Sequence, residues 1–197
     1  MDNRFTSEVA TERMEAQFEI AATALIGGLS NVATITCSAT EYNVQPYLGI
    51  GIEDTLHSIG HSGGNSRDAK GTASYLKYRG WLFGVMARMV KRLESIPEGA
   101  GTMMDNTVIV FMSDAPDTHH STAYEWPLVI LGNLNRALKL GGRYLSYPGH
   151  GNAGHRTVGS FYTTLLRAAG VQAGYFGGTD SALSPETQRG PLPELLA

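Results

Sequence analysis

The chain has 197 residues, 42 % of them hydrophobic and 17 % charged, and a formal net charge of −3; this composition excludes a disordered chain and fits a single domain over 1–197. The negative balance, with no Lys/Arg stripe to neutralise phosphates, excludes a nucleic-acid binder. The single cysteine, Cys37, excludes an intrachain disulfide and a thiolate zinc centre, and no apolar run nears the ~18 residues that span a bilayer.

Residues 1–13 are polar and lack the apolar region of a signal peptide, so a complete chain is expected in the cytoplasm. Residues 8–26 carry Val9, Met14, Phe18, Ala21, Ala22 and Leu25 at three- and four-residue steps, and Gly27-Gly28 supplies a stop: a helix. Residues 32–37 form a β-branched run ending at Cys37, the pattern of a buried strand. The stretch 38–71 is rich in Gly, Ser and Asn and has no period, as a long functional loop would be. Residues 73–96 place Tyr75, Tyr78, Leu82, Val85, Met89 and Leu93 on one helical face, and Pro97 to Gly101 ends it. Arg88, Lys91 and Arg92, the densest basic cluster, read as the solvated face of that helix.

Residues 107–112 give the strongest strand signal, 127–131 another, and 143–147 a short edge strand. Residues 156–169 fit a last helix with Phe161, Leu165 and Leu166 inward, stopped at Gly170. The tail, 179–197, reads as irregular apart from a turn at Glu194-Leu195-Leu196. Apolar strands alternating with long helices predict an α/β fold: a mainly parallel sheet flanked by helices. Three or four strands are few for such a sheet, and part of it is expected on another segment.

All six histidines lie in predicted loops or loop–helix junctions, as three pairs: His57/His61, His119/His120 and His150/His155. Imidazoles with nearby carboxylates are the usual donors to a divalent cation, although short His spacings also occur in plain surface loops. Asp114 follows strand 107–112 directly, where open α/β sheets bind ligands, and Asp117, His119 and His120 come just after it. Asp114 also suits a turn or a helix cap. Asp54, His57 and His61 stand at helical spacing and would share one face of a turn, while Gly60, Gly63 and Gly64 favour a loop. His150 and His155 flank a Gly-rich turn, and Arg156 there could support a phosphate or sulfate near a helix start.

Several blocks carry a resemblance. Glu15-Ala-Gln-Phe-Glu-Ile-Ala, Gly28-Leu-Ser-Asn-Val-Ala-Thr-Ile-Thr36, His57-Ser-Ile-Gly-His61, Pro97-Glu-Gly-Ala-Gly-Thr102 and Asp105-Asn-Thr-Val-Ile-Val110 resemble a bacterial exported family. So do Ser113-Asp114 with His119-His120, Glu125-Trp-Pro127, Gly141-Gly-Arg-Tyr144 and the ending Gly190-Pro-Leu-Pro-Glu-Leu-Leu-Ala197. The family is the domain of unknown function fifteen-fifty-two, grouped by fold with alkaline phosphatases and sulfatases. The resemblance implies the C-terminal portion of an alkaline-phosphatase-like fold, and export to the periplasm if the chain is a fragment. It implies metal ligands at Asp114, with His57 or His61 as an earlier ligand and His150 or His155 as the late histidine. The family's nucleophile segment has no counterpart: Cys37-Ser38-Ala39-Thr40-Glu41 lacks the Pro and Arg of the sulfatase motif.

The expected function is a metal-dependent hydrolase of small phosphate or sulfate esters, or the metal-binding part of one. The cofactor would be a divalent ion, zinc, manganese or calcium. Asp114, His119, His120, His57, His61, His155 and Asp54 are the expected ligands, with Arg156 and His150 toward the substrate and no catalytic nucleophile assigned. The competing expectation is a non-catalytic metal-binding or structural domain.

Overall fold

A computed structural model describes residues 3–37, 46–65, 68–113 and 125–197. The chain divides into two compact units, Met1–Met103 and Met104–Ala197.

The first unit is built on two helices. Helix α1, Ala10–Ile26, buries Met14, Phe18, Ala21 and Ala22, the apolar stripe seen in the sequence. It stops as the glycines demand: Gly28 adopts φ 66°, the Gly28 amide donates to Leu25 O and the Leu29 amide to Ala24 O. That pair of bonds is a Schellman motif, and φ > 0 is what glycine permits there. A short antiparallel pair follows, β1 (Pro46–Tyr47) with β2 (Ile52–Thr55), then the helical turn α2, Leu56–Ile59, and a π-helical turn over Gly60–Asn65.

Helix α3, Ala69–Glu94, begins at Asp68, whose carboxylate accepts the Gly71 amide at 2.8 Å. Its buried residues Tyr78, Leu82, Val85, Met86, Met89 and Leu93 keep helical spacing. Polar ties join α1 and α3: Glu15 Oε1 accepts from Arg88 Nη2 at 2.6 Å and Trp81 Nε1 at 3.3 Å. Arg92 Nη2 donates to Thr23 Oγ1 at 3.0 Å, so the basic cluster partly serves helix packing. Tyr47 lies edge-on to Tyr78 and Trp81, with centroids 5.0 and 5.9 Å away. A tight hairpin, β3 (Pro97–Glu98) with β4 (Gly101–Thr102), closes the unit.

The second unit is an antiparallel ladder with a helix and the C-terminal tail against it. Strand β5, Val108–Met112, pairs with β6, Leu128–Gly132, in the register Val110↔Ile130. The face carrying Val110, Leu128 and Ile130 packs on a core of Phe161, Leu192 and Leu195. Phe161 comes from helix α4, Val158–Ala168, which Thr157 caps by accepting the Ser160 amide at 3.2 Å. Leu192 and Leu195 come from the tail. There a short helix, α5 (Pro185–Gln188), precedes a 3₁₀ turn at Pro193–Leu195. Thr164 Oγ1 accepts the Leu192 amide at 2.7 Å, Leu195 O accepts the Lys139 amide at 2.8 Å, and Leu138 bridges Leu196. The segment read as an irregular tail is therefore part of the core.

The predicted parallel, alkaline-phosphatase-like sheet is not what forms. Among the described residues every strand pairing is antiparallel and each sheet has two strands. The α/β expectation fails because two of its strands have no ladder. Residues 32–36 carry no strand pairing, Val32 is 76 % exposed, and Ser30 Oγ accepts the Val32 amide and donates to the Val32 carbonyl, local bonds that compete with a sheet. Residues 143–147 are likewise unpaired as a strand, with Tyr144 91 % exposed. The strands that do pair, β5 and β6, run antiparallel and so need no helical crossover. No helix of the described residues is long and apolar enough to cross a membrane.

Candidate functional site

Of the two histidine pairs among the described residues, the better organised lies in the loop entering α4. Two successive turns fold it back: the Asn152 amide donates to Gly149 O and the His155 amide to Asn152 O, each at 3.0 Å. Gly154, at φ 83°, makes the second reversal, and a Cβ there would already touch Pro148 Cγ at 3.4 Å. The result sets the rings of His150 and His155 edge to face with centroids 5.5 Å apart. Both residues are half-buried.

Each ring has one nitrogen within hydrogen-bond distance of an acceptor. His155 Nδ1 lies 3.0 Å from Pro148 O. A carbonyl only accepts, so Nδ1 carries the proton and the lone pair falls on Nε2. His150 Nε2 lies 3.0 Å from Asp180 Oδ2. The Asp180 carboxyl is held below its usual range by this bond first and by the Ala182 amide second. It is therefore ionised at neutral pH and accepts a hydrogen bond from the Nε2–H, which leaves the lone pair of the neutral His150 ring on Nδ1. Asp180 thus acts on His150 Nε2 as an orienting group rather than a third ligand.

Two imidazoles on one tetrahedral ion, with bonds of about 2.0–2.1 Å, have ring centres roughly 5 Å apart. The observed 5.5 Å is close to that value. Ligating histidines typically give their other N–H to a carboxylate or a backbone carbonyl, the two acceptors found here. The ring spacing and the committed ring protons are compatible with imidazole ligation. The pair is short of a closed structural centre, and among the described residues no three His, Cys, Asp or Glu side chains are grouped to hold a metal ion.

Asp114, Asp117, His119 and His120 lie outside the described residues. In the first unit the rings of His57 and His61 are 4.8 Å apart on exposed turns. Asp54 is paired with Lys70 Nζ at 3.2 Å at the start of α3. Arg156, expected to meet an anion, sends Nη2 to Pro191 O at 2.7 Å and so ties the loop to the tail. Nearby, burial first and a hydrogen bond to Glu194 second hold the Tyr147 phenol well above its ordinary range.

Two residues escaped the sequence reading. Asp180 is 30 positions from His150, so no spacing rule links them. Gln188 is 7 % exposed and bonds the backbone of Asp180. A buried glutamine between short polar turns carries no sequence signal of its own. No family model, curated protein or solved structure matches the chain.

Proposed function

We propose that the protein binds a divalent transition-metal ion through His150 Nδ1 and His155 Nε2. One observation carries this reading: each imidazole of a half-buried pair has its opposite ring proton committed to a fixed acceptor. That arrangement sets the tautomer and raises the basicity of the ligating nitrogen. Imidazole donors suit zinc, and manganese less well, whereas calcium takes oxygen ligands.

Two protein donors leave coordination positions for water and for a substrate oxygen. When bound, the ion supplies Lewis-acid polarisation and a water of lowered pKa. Hydrolysis of small phosphate or sulfate esters is the activity such a site would serve. A non-catalytic metal-binding domain is the competing reading, because the sequence assigns no nucleophile to this site.

Isothermal titration of the full chain with zinc tests the proposal. Binding that His155→Ala weakens at least tenfold, and that His57→Ala/His61→Ala leaves in place, is the expected result. Equal binding by wild type and His155→Ala would overturn it. A panel of phosphate and sulfate monoesters offered to the zinc-loaded chain separates the two functions. Turnover lost in His155→Ala supports the hydrolase, and tight binding without turnover supports a metal-binding domain.

A further inference from the structure

The backbone that carries the Asp180 carboxylate is held by a second residue, far from the histidine loop in sequence. The Gln188 side chain accepts the Asp180 amide on Oε1 at 2.5 Å. Its Nε2 donates back to Asp180 O at 2.9 Å, to Leu183 O at 3.0 Å and, more weakly, to Ser184 O at 3.4 Å. One buried amide therefore closes the segment 180–188 on itself and holds both the N–H and the C=O of Asp180. The Asp180 side chain is fixed in turn, because Oδ1 accepts the Ala182 amide at 2.8 Å. With the backbone and Oδ1 both committed, Oδ2 is left aimed at His150.

We propose that Gln188 is a positioning residue for the metal site, acting through Asp180 to fix the tautomer of His150. The proposal rests on the metal-binding reading, but its first consequence concerns the metal-free protein. Glutamine suits the task and its neighbours do not. Glutamate at this position would offer no donor to the three carbonyls and would set a second negative charge beside Asp180. An apolar side chain of similar size would keep the volume and lose every tie. A purely structural Gln188 would stabilise the tail without affecting which nitrogen of His150 carries the proton.

The test uses the full chain with Gln188→Leu, and Gln188→Asn as a milder change that keeps the amide but shortens its reach. Long-range proton–nitrogen NMR of the metal-free protein reads the tautomer of each imidazole, and zinc titration reads affinity. In Gln188→Leu, His150 is expected to lose its Nε2–H preference while His155, anchored by Pro148 O, keeps its own. Zinc affinity should fall by about 10- to 100-fold, the usual effect of losing an outer-sphere partner. Gln188→Leu added to Asp180→Ala should weaken zinc no further than Asp180→Ala alone, since both act on one contact. An unchanged His150 tautomer in both Gln188 variants, with zinc affinity within twofold of wild type, would overturn the proposal. If wild type binds no zinc, the metal reading fails alone, and the tautomer measurement still decides the role of Gln188.

Discussion

Single residues decide how the loop before α4 can act, and the sequence exposed only half of them. His150 and His155 were legible because two imidazoles flanking Gly151 and Gly154 mark a turn with chemistry on it. Their orienting partners were not, because a backbone carbonyl has no residue signature and Asp180 reaches His150 only through the folded tail. Cys37 gives a residue-scale prediction. With its thiol pKa raised from 9.0 to about 11 by burial, the thiolate at pH 8 is about 100-fold rarer than for an ordinary thiol. Iodoacetamide should label native Cys37 far more slowly than the urea-unfolded chain; equal rates would show the thiol to be solvated. The sign for stability follows from the same shift. The folded state favours the neutral thiol, so its contribution is complete below pH 9 and declines as pH rises toward 11.

At the scale of elements, periodicity found the helices and misjudged the sheet. The stripe Met14, Phe18, Ala21, Ala22 and the face Tyr78, Leu82, Val85, Met89 can be buried only on one side of a helix, and both helices formed where expected. Residues 32–37 have strand-forming side chains, but a strand needs a partner, and β-branching alone does not supply one. Leu82→Ala should cost about 2–5 kcal/mol, as for a fully buried leucine, read by urea denaturation. Gly132, at φ 81°, has no room for a side chain: a Cβ would sit 2.2 Å from Thr107 O. Gly132→Ala should therefore lose more than the ~1–2 kcal/mol of a left-handed residue, because the clash adds to it; a neutral change would contradict the packing at this corner. Short Hα–Hα contacts between 108–112 and 128–132 in NMR spectra should mark the antiparallel ladder, where a parallel pairing would give none.

The molecule as a whole holds two compact units, and each is legible to a different degree. The first rests on a helix pair whose stripes are plain in the sequence. The second closes a two-stranded ladder with α4 and with Leu192 and Leu195 from a tail that looked irregular, because those contacts are long-range and aperiodic. The functional claim belongs to that second unit: a folded loop and a folded tail together set two imidazole lone pairs for one cation. X-ray absorption at the zinc edge, on the zinc-loaded full chain, addresses it directly. The expected spectrum shows imidazole nitrogens at about 2.0–2.1 Å, a signature absent from His150→Ala/His155→Ala and kept by His57→Ala/His61→Ala. Zinc retained with the same imidazole scattering in the His150→Ala/His155→Ala protein would contradict the account.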